Sequence, residues 1–105
     1  MTLVGAGDIA ECGNPGSQQT AVLVQDVLSD VPSATVFTAG DNAYPDGSAA
    51  DYQNCYDPTW GQFKAKTRPA LGNHEYDSGS ADPSFDYGET FWTSDICTVV
   101  NPIGC

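Results

Sequence analysis

Three short apolar runs, each closed by a glycine and an oxygen-bearing residue, set the pattern of this chain. Residues 2–6 are apolar and suited to a β-strand, and they run into Gly7-Asp8. Residues 34–39 include Thr35, Val36, Phe37 and Thr38, all favoured in strands, and run into Gly40-Asp41. Residues 67–71 form a third, shorter candidate strand and run into Gly72-Asn73-His74-Glu75. Pro69 lacks an amide proton, so this strand needs an unpaired position there. Between the first two strands, residues 18–31 place Ala21, Val24, Val27, Leu28 and Val31 at spacings of three and four, the signature of an amphipathic helix. Ser17 is the expected N-cap, and Pro32 ends the helix.

A strand, a helix and a second strand in this order predict a parallel β-α-β unit with a right-handed crossover. The rest is less regular. Residues 42–47 read as a loop, with Pro45-Asp46-Gly47 as its turn signal. Ser48 and Asp51 fit a capping box for a short helix that stops before Pro58. An aromatic, irregular connection around Trp60 and Phe63 follows. Residues 77–90 hold many Asp, Ser and Gly and read as loop, and residues 93–105 show only the hint of a strand near 97–100. The fold class is therefore α/β. The 105 residues suit one small domain, of which 77–105 carry little pattern.

Composition narrows the function. With 40% apolar residues the chain is not of the disordered class, despite a formal charge of −11. Lys64, Lys66 and Arg68 are its only basic residues besides His74, too few to displace the counterions of nucleic acid or to seek anionic lipid. No apolar run approaches the length of a membrane span, and no basic-then-apolar leader is visible. Cys12, Cys55, Cys97 and Cys105 form no C-x-x-C pair; an even count fits two disulfides and favours an exported protein, without fixing which cysteines pair.

The three glycine-terminated strands carry the chemistry. Their oxygen-bearing residues, Asp8, Asp41 and Asn73, lie 33 and 32 residues apart, about one β-α unit each. Parallel strands collect functional groups at their carboxyl ends, which places these three residues on one rim. Two crowded aspartates repel unless protonated or neutralised by a cation, and an oxygen-rich set suits hard or borderline divalent ions. Any single Gly-Asp or Gly-Asn is an ordinary turn dipeptide; three of them, each after an apolar strand, are harder to explain as turns. Tyr44, three residues after Asp41, and His74 fall on the same rim.

Gly7-Asp8, then Gly40-Asp41-Asn42-Ala43-Tyr44, then Gly72-Asn73-His74-Glu75 resemble, in order and spacing, the first three motifs of the calcineurin-like metallophosphoesterases. The Gly-Asp-x-x-Tyr form is similar to the purple acid phosphatase branch. The resemblance spans residues 7–75 and implies the N-terminal half of an α/β sandwich with a dinuclear metal site (two ions among Fe, Mn or Zn) that hydrolyses phosphate esters. By that resemblance Asp8 and Tyr44 bind the first metal, Asp41 bridges the two, and Asn73 binds the second. His74 contacts the phosphate and protonates the leaving group. Glu75 orients His74 or meets substrate, and Asn42 belongs to the same supporting group.

The family completes its site with further histidines, and this chain has one histidine in total. The sequence therefore reads as a partial metallophosphoesterase domain that needs a C-terminal half or self-association. The alternative is a non-catalytic acidic module that binds a divalent cation or a partner.

Overall fold

The computed structural model describes residues 1–92, with only the backbone in 88–92. Three strands form one parallel sheet in the order β1-β2-β3. They are β1 (Leu3–Ala6), β2 (Thr35–Thr38) and β3 (Thr67–Arg68). Leu3 pairs with Thr35 and Ala6 with Thr38, and Val36 pairs with Thr67. Both expected strands of the β-α-β unit are present and parallel.

Helix α1 (Gly16–Asp30) connects β1 to β2 and buries Ala21, Val24 and Leu28, with Val27 and Val31 packed at the margin. That is the face its spacing predicts. Its start differs from expectation. Pro15 occupies the N-cap position, and Ser17 lies buried inside the first turn. The reason is local: the Gly16 N–H donates to Asn14 Oδ1 at 2.9 Å, and the Gln19 N–H reaches Pro15 O. The Asn14 side chain thus satisfies a free first-turn amide, and the helix begins two residues earlier. Helix α1 covers the face of the sheet that carries Val4, Ala6 and Val36. On the other face Leu3 is 58% exposed and Phe37 38% exposed.

The Ser48–Asp51 capping box forms as predicted and starts α2 (Ala49–Asp51), which continues as a π-helical turn over Tyr52–Tyr56. A kinked 3-10 segment, Trp60–Lys66, carries the chain back to the sheet. Trp60 is fully buried, and its Nε1 donates to Thr20 Oγ1 at 3.0 Å. This contact pins the segment onto α1, and removing the indole costs about 3–5 kcal/mol. Strand β3 is shorter than the predicted 67–71, because Pro69 has no amide to give. The chain still runs beside β2: the Ala70 N–H donates to Thr38 Oγ1 at 2.9 Å.

The loop expected over 77–90 is corrected. Residues Asp82–Trp92 form helix α3. The Asp, Ser and Gly content hid two helix signals. Asp82 and Pro83 are suited to a first turn, and Ala81, Ser84 and Tyr87 recur at spacing three. Ala81 and Ser84 are buried. Tyr87 stacks on Tyr52 with ring centroids 4.9 Å apart, and the Tyr52 hydroxyl donates to Ser84 Oγ at 3.0 Å. The aromatic Tyr87 thus closes the core beside the π-helical turn and leaves the Leu3–Phe37 face open among the described residues.

Cys12 and Cys55 form a disulfide that ties the loop after β1 to the π-helical turn. Cys97, Cys105 and the strand expected near 97–100 lie outside the described residues. No helix among the described residues is long and apolar enough to cross a membrane.

Candidate metal and phosphate site

The backbone builds the site first. Ladder bonds continue beyond β1 and β2 into the Gly-Asp turns: the Asp8 N–H donates to Gly40 O, Ile9 to Asp41 O, and Ala10 to Asn42 O. Ala10 and Ala43 then pair as an isolated parallel bridge. The offset between partners is 32 in the strands and 33 at this bridge, so the second strand carries one extra residue at the turn. Both aspartates take the left-handed conformation, with φ 51° at Asp8 and 54° at Asp41. A non-glycine residue there costs about 1–2 kcal/mol, least for Asp and Asn. The same uncommon geometry at two corresponding positions turns both carboxylates toward the sheet's carboxyl rim.

The third loop closes against the second. The His74 N–H donates to Asp41 Oδ1 at 3.1 Å. This approach needs glycine twice. A Cβ at Gly72 falls 2.1 Å from Asp41 Oδ1 and 2.4 Å from Asp41 N, and one at Gly40 falls 2.9 Å from Gly72 N.

Tyr44 lies between the first loop and the third. Its hydroxyl donates to Asp8 Oδ1 at 2.5 Å, and its ring lies 4.5 Å from the His74 ring. The hydrogen bond to Asp8, then burial and the charge of Asp41, hold the phenol well above its ordinary pKa, so it is a neutral donor. The imidazole is oriented from below. Nδ1 donates to Pro45 O at 2.7 Å and lies 3.2 Å from Asp77 Oδ2. A carbonyl offers only lone pairs, so Nδ1 carries the proton and Nε2 is left for a ligand. The Pro45 carbonyl, followed by the charges of Asp41, Asp77 and Glu75, raises the imidazole's pKa.

The expected residues therefore fall into two groups. Asp8, Asp41, Tyr44 and His74 meet on one rim, joined by the contacts above. Asn73 begins the 3-10 turn Asn73–Tyr76 beside them, with an exposed side chain. Glu75 and Asn42 belong underneath. Glu75 is fully buried; its carboxylate accepts from the Asn42 N–H at 3.1 Å and the Gly72 N–H at 2.9 Å, so it neither faces solvent nor holds the His74 ring. Asn42 is buried too, donating from Nδ2 to Ala70 O at 2.8 Å. Asp77 and the Pro45 carbonyl, which orient His74, were not among the expected residues. Asp77, three positions after His74 in a turn, had a sequence signal; the carbonyl had none.

A cleft of about 320 Å3 opens beside Asp8 and Tyr44, walled by Ile9, Glu11, Asn14 and Thr20. Of the basic side chains, Lys64 lies over the Tyr87 ring and Lys66 donates to Pro32 O. The donors on the rim are two carboxylates, a phenol and an amide, a set that suits hard cations. Among the described residues no three His, Cys, Asp or Glu side chains are grouped to hold a metal ion. No known protein family, curated protein or solved structure matches the chain.

Proposed function

We propose that the rim is part of a metal-dependent phosphoesterase site of the calcineurin-like, purple acid phosphatase-like kind. The observation that carries this reading is the meeting of Asp8, Asp41, Tyr44 and His74 at the carboxyl ends of parallel strands. Asp8 and Asp41 both act on the Tyr44 hydroxyl, and two carboxylates gathered at one group favour a bound cation. Asp8, Asp41, Tyr44 and Asn73 are the residues that would hold metal. When bound, a metal pair supplies a nucleophilic hydroxide and neutralises charge developing on phosphate.

The chain's own contribution is positional and acid–base. The Pro45 carbonyl holds His74 through Nδ1 and leaves Nε2 for a ligand, so the imidazolium form would donate a proton from that nitrogen to a departing alkoxide. Its raised pKa keeps that form populated further toward neutrality. Tyr44 holds its proton against Asp8 and would be one of the residues that hold metal.

A second reading has its own support. With two carboxylates and one imidazole on the rim, and no three-ligand group among the described residues, the chain also fits a non-catalytic module that binds a divalent cation weakly. Calorimetric titration with Mn2+ or Zn2+, paired with aryl phosphate hydrolysis with and without metal, separates the two. Micromolar or weaker binding that Asp41→Ala removes supports a metal rim. Metal-stimulated hydrolysis lost in His74→Ala supports the esterase. Binding without hydrolysis supports the module.

A further inference from the structure

Glu75 places a fully buried carboxylate directly beneath the rim. Its partners are two backbone amides, each beside a residue of the site. Oε1 and Oε2 both accept from the N–H of Asn42, the residue after Asp41; Oε1 also accepts from the N–H of Gly72, the residue before Asn73. The opposite bond runs the other way: Asp41 Oδ1 accepts from the His74 N–H. Each loop thus lends a carboxylate to the other loop's backbone, Asp41 to His74 and Glu75 to Asn42.

Burial pushes the Glu75 carboxyl's pKa up, while the amides of Gly72 and Asn42 pull it down. Burying a carboxylate is costly, and hydrogen bonds to its charged form offset that cost. The geometry points to Glu75 as the positioning residue of the site: a clamp that fixes Asp41 against Asn73 and His74 and so sets the spacing of the proposed metal donors. It touches neither ligand nor reacting atom. The effect on metal rests on the phosphoesterase or cation-binding reading; the clamp itself does not.

The test uses the whole chain with Glu75→Ala, Glu75→Asp and Glu75→Gln, and Asp26→Asn on the exposed side of α1 as a charge control. Amide hydrogen exchange by NMR reads the clamp, and Mn2+ titration reads its consequence. In Glu75→Ala the amides of Asn42 and Gly72 should exchange at least tenfold faster, while those of α1 keep their protection. Glu75→Asp is too short to reach both amides and should behave similarly. Glu75→Gln retains an acceptor at Oε1 and should restore Gly72 and part of Asn42. Mn2+ affinity should fall about 10–100-fold in the Ala variant, recover in part with Gln, and stay unchanged in Asp26→Asn. If Glu75→Ala does not fold, the Asp and Gln variants carry the comparison. Unchanged protection at Asn42 and Gly72 in a folded Ala or Asp variant overturns the clamp. A wild-type chain that binds no Mn2+ overturns the metal reading, and exchange alone then decides the clamp.

Discussion

The Tyr44 hydroxyl donates to Asp8 Oδ1 across 36 residues of sequence, joining the second Gly-Asp turn to the first. The contact is short and exposed, so its stability value is modest. Tyr44→Phe should lower stability by about 0.5–1.5 kcal/mol in urea denaturation. Its larger effect should be spectroscopic. Added ferric ion should produce a visible tyrosinate-to-iron charge-transfer band in the wild type and none in Tyr44→Phe. An equal band in both would remove Tyr44 from the metal set.

Gly72→Ala should be more damaging than its size suggests. The new methyl meets the Asp41 carboxylate and also the Asp41 amide nitrogen, and the backbone atom cannot rotate aside. A loss of about 1–3 kcal/mol is expected, with the His74-to-Asp41 hydrogen bond broken. A wild-type denaturation midpoint in this variant would mean the loops are not in such close contact.

The His74 imidazole should titrate above its ordinary value of 6.5 in proton NMR, and Asp77→Asn should move it down. A raised folded pKa means the folded state holds the proton more tightly than the unfolded chain. The stabilisation is complete below about pH 6.5 and disappears as pH rises through the folded pKa. Thermal midpoints measured across this interval should decline toward higher pH by more in the wild type than in His74→Gln.

Much of this architecture was legible because it depends on local pattern. The face of α1, the parallel β-α-β unit and the Ser48–Asp51 cap follow from spacing and from residues a few positions apart. The rim followed from three glycine-terminated strands. Helix α3 was hidden because Asp82, Pro83, Asp86 and Gly88 give it a loop-like composition, while the buried residues at its start, Ala81 and Ser84, are small. The resemblance implies that Glu75 orients His74 or meets substrate, whereas the structure buries it on the amides of Asn42 and Gly72. Its place depends on the 3-10 turn Asn73–Tyr76, in which Glu75 is buried while Asn73 and Tyr76 are exposed. The Cys12–Cys55 pairing could not be read from four cysteines that allow three connectivities.

Reducing the Cys12–Cys55 bond should lower stability by about 2–4 kcal/mol, since the bond spans 43 residues. The loss should appear as a lower thermal midpoint in reductant. Cys12→Ser with Cys55→Ser should reproduce it without reductant. Equal midpoints in all three states would show that the core around Trp60 and Tyr87 holds without the bond.

The open face carrying Leu3 and Phe37 should drive concentration-dependent association. Sedimentation velocity at rising concentration should show species heavier than the monomer, and Leu3→Ser with Phe37→Ser should reduce them. A wild-type monomer at every concentration, with no binding of a dye specific for apolar surface, would mean that this face is covered in solution.

The one extra residue at the second Gly-Asp turn has a consequence for which changes of chain length the protein can accept. Upstream of the turn, partners are offset by 32, and on that count Asp8 stands level with Gly40. The added residue raises the offset to 33 and brings Asp8 level with Asp41. The two acids are in phase because of a single step in a segment of six residues, from Thr38 to Ala43. Insertions in the connection between β1 and β2 leave that phase untouched, however long they grow. Deleting Gly40 alone would displace one acid from the other by one strand residue, about 3.3 Å. The interval of 33 between the aspartates is thus elastic over most of its length and rigid only at its last few positions.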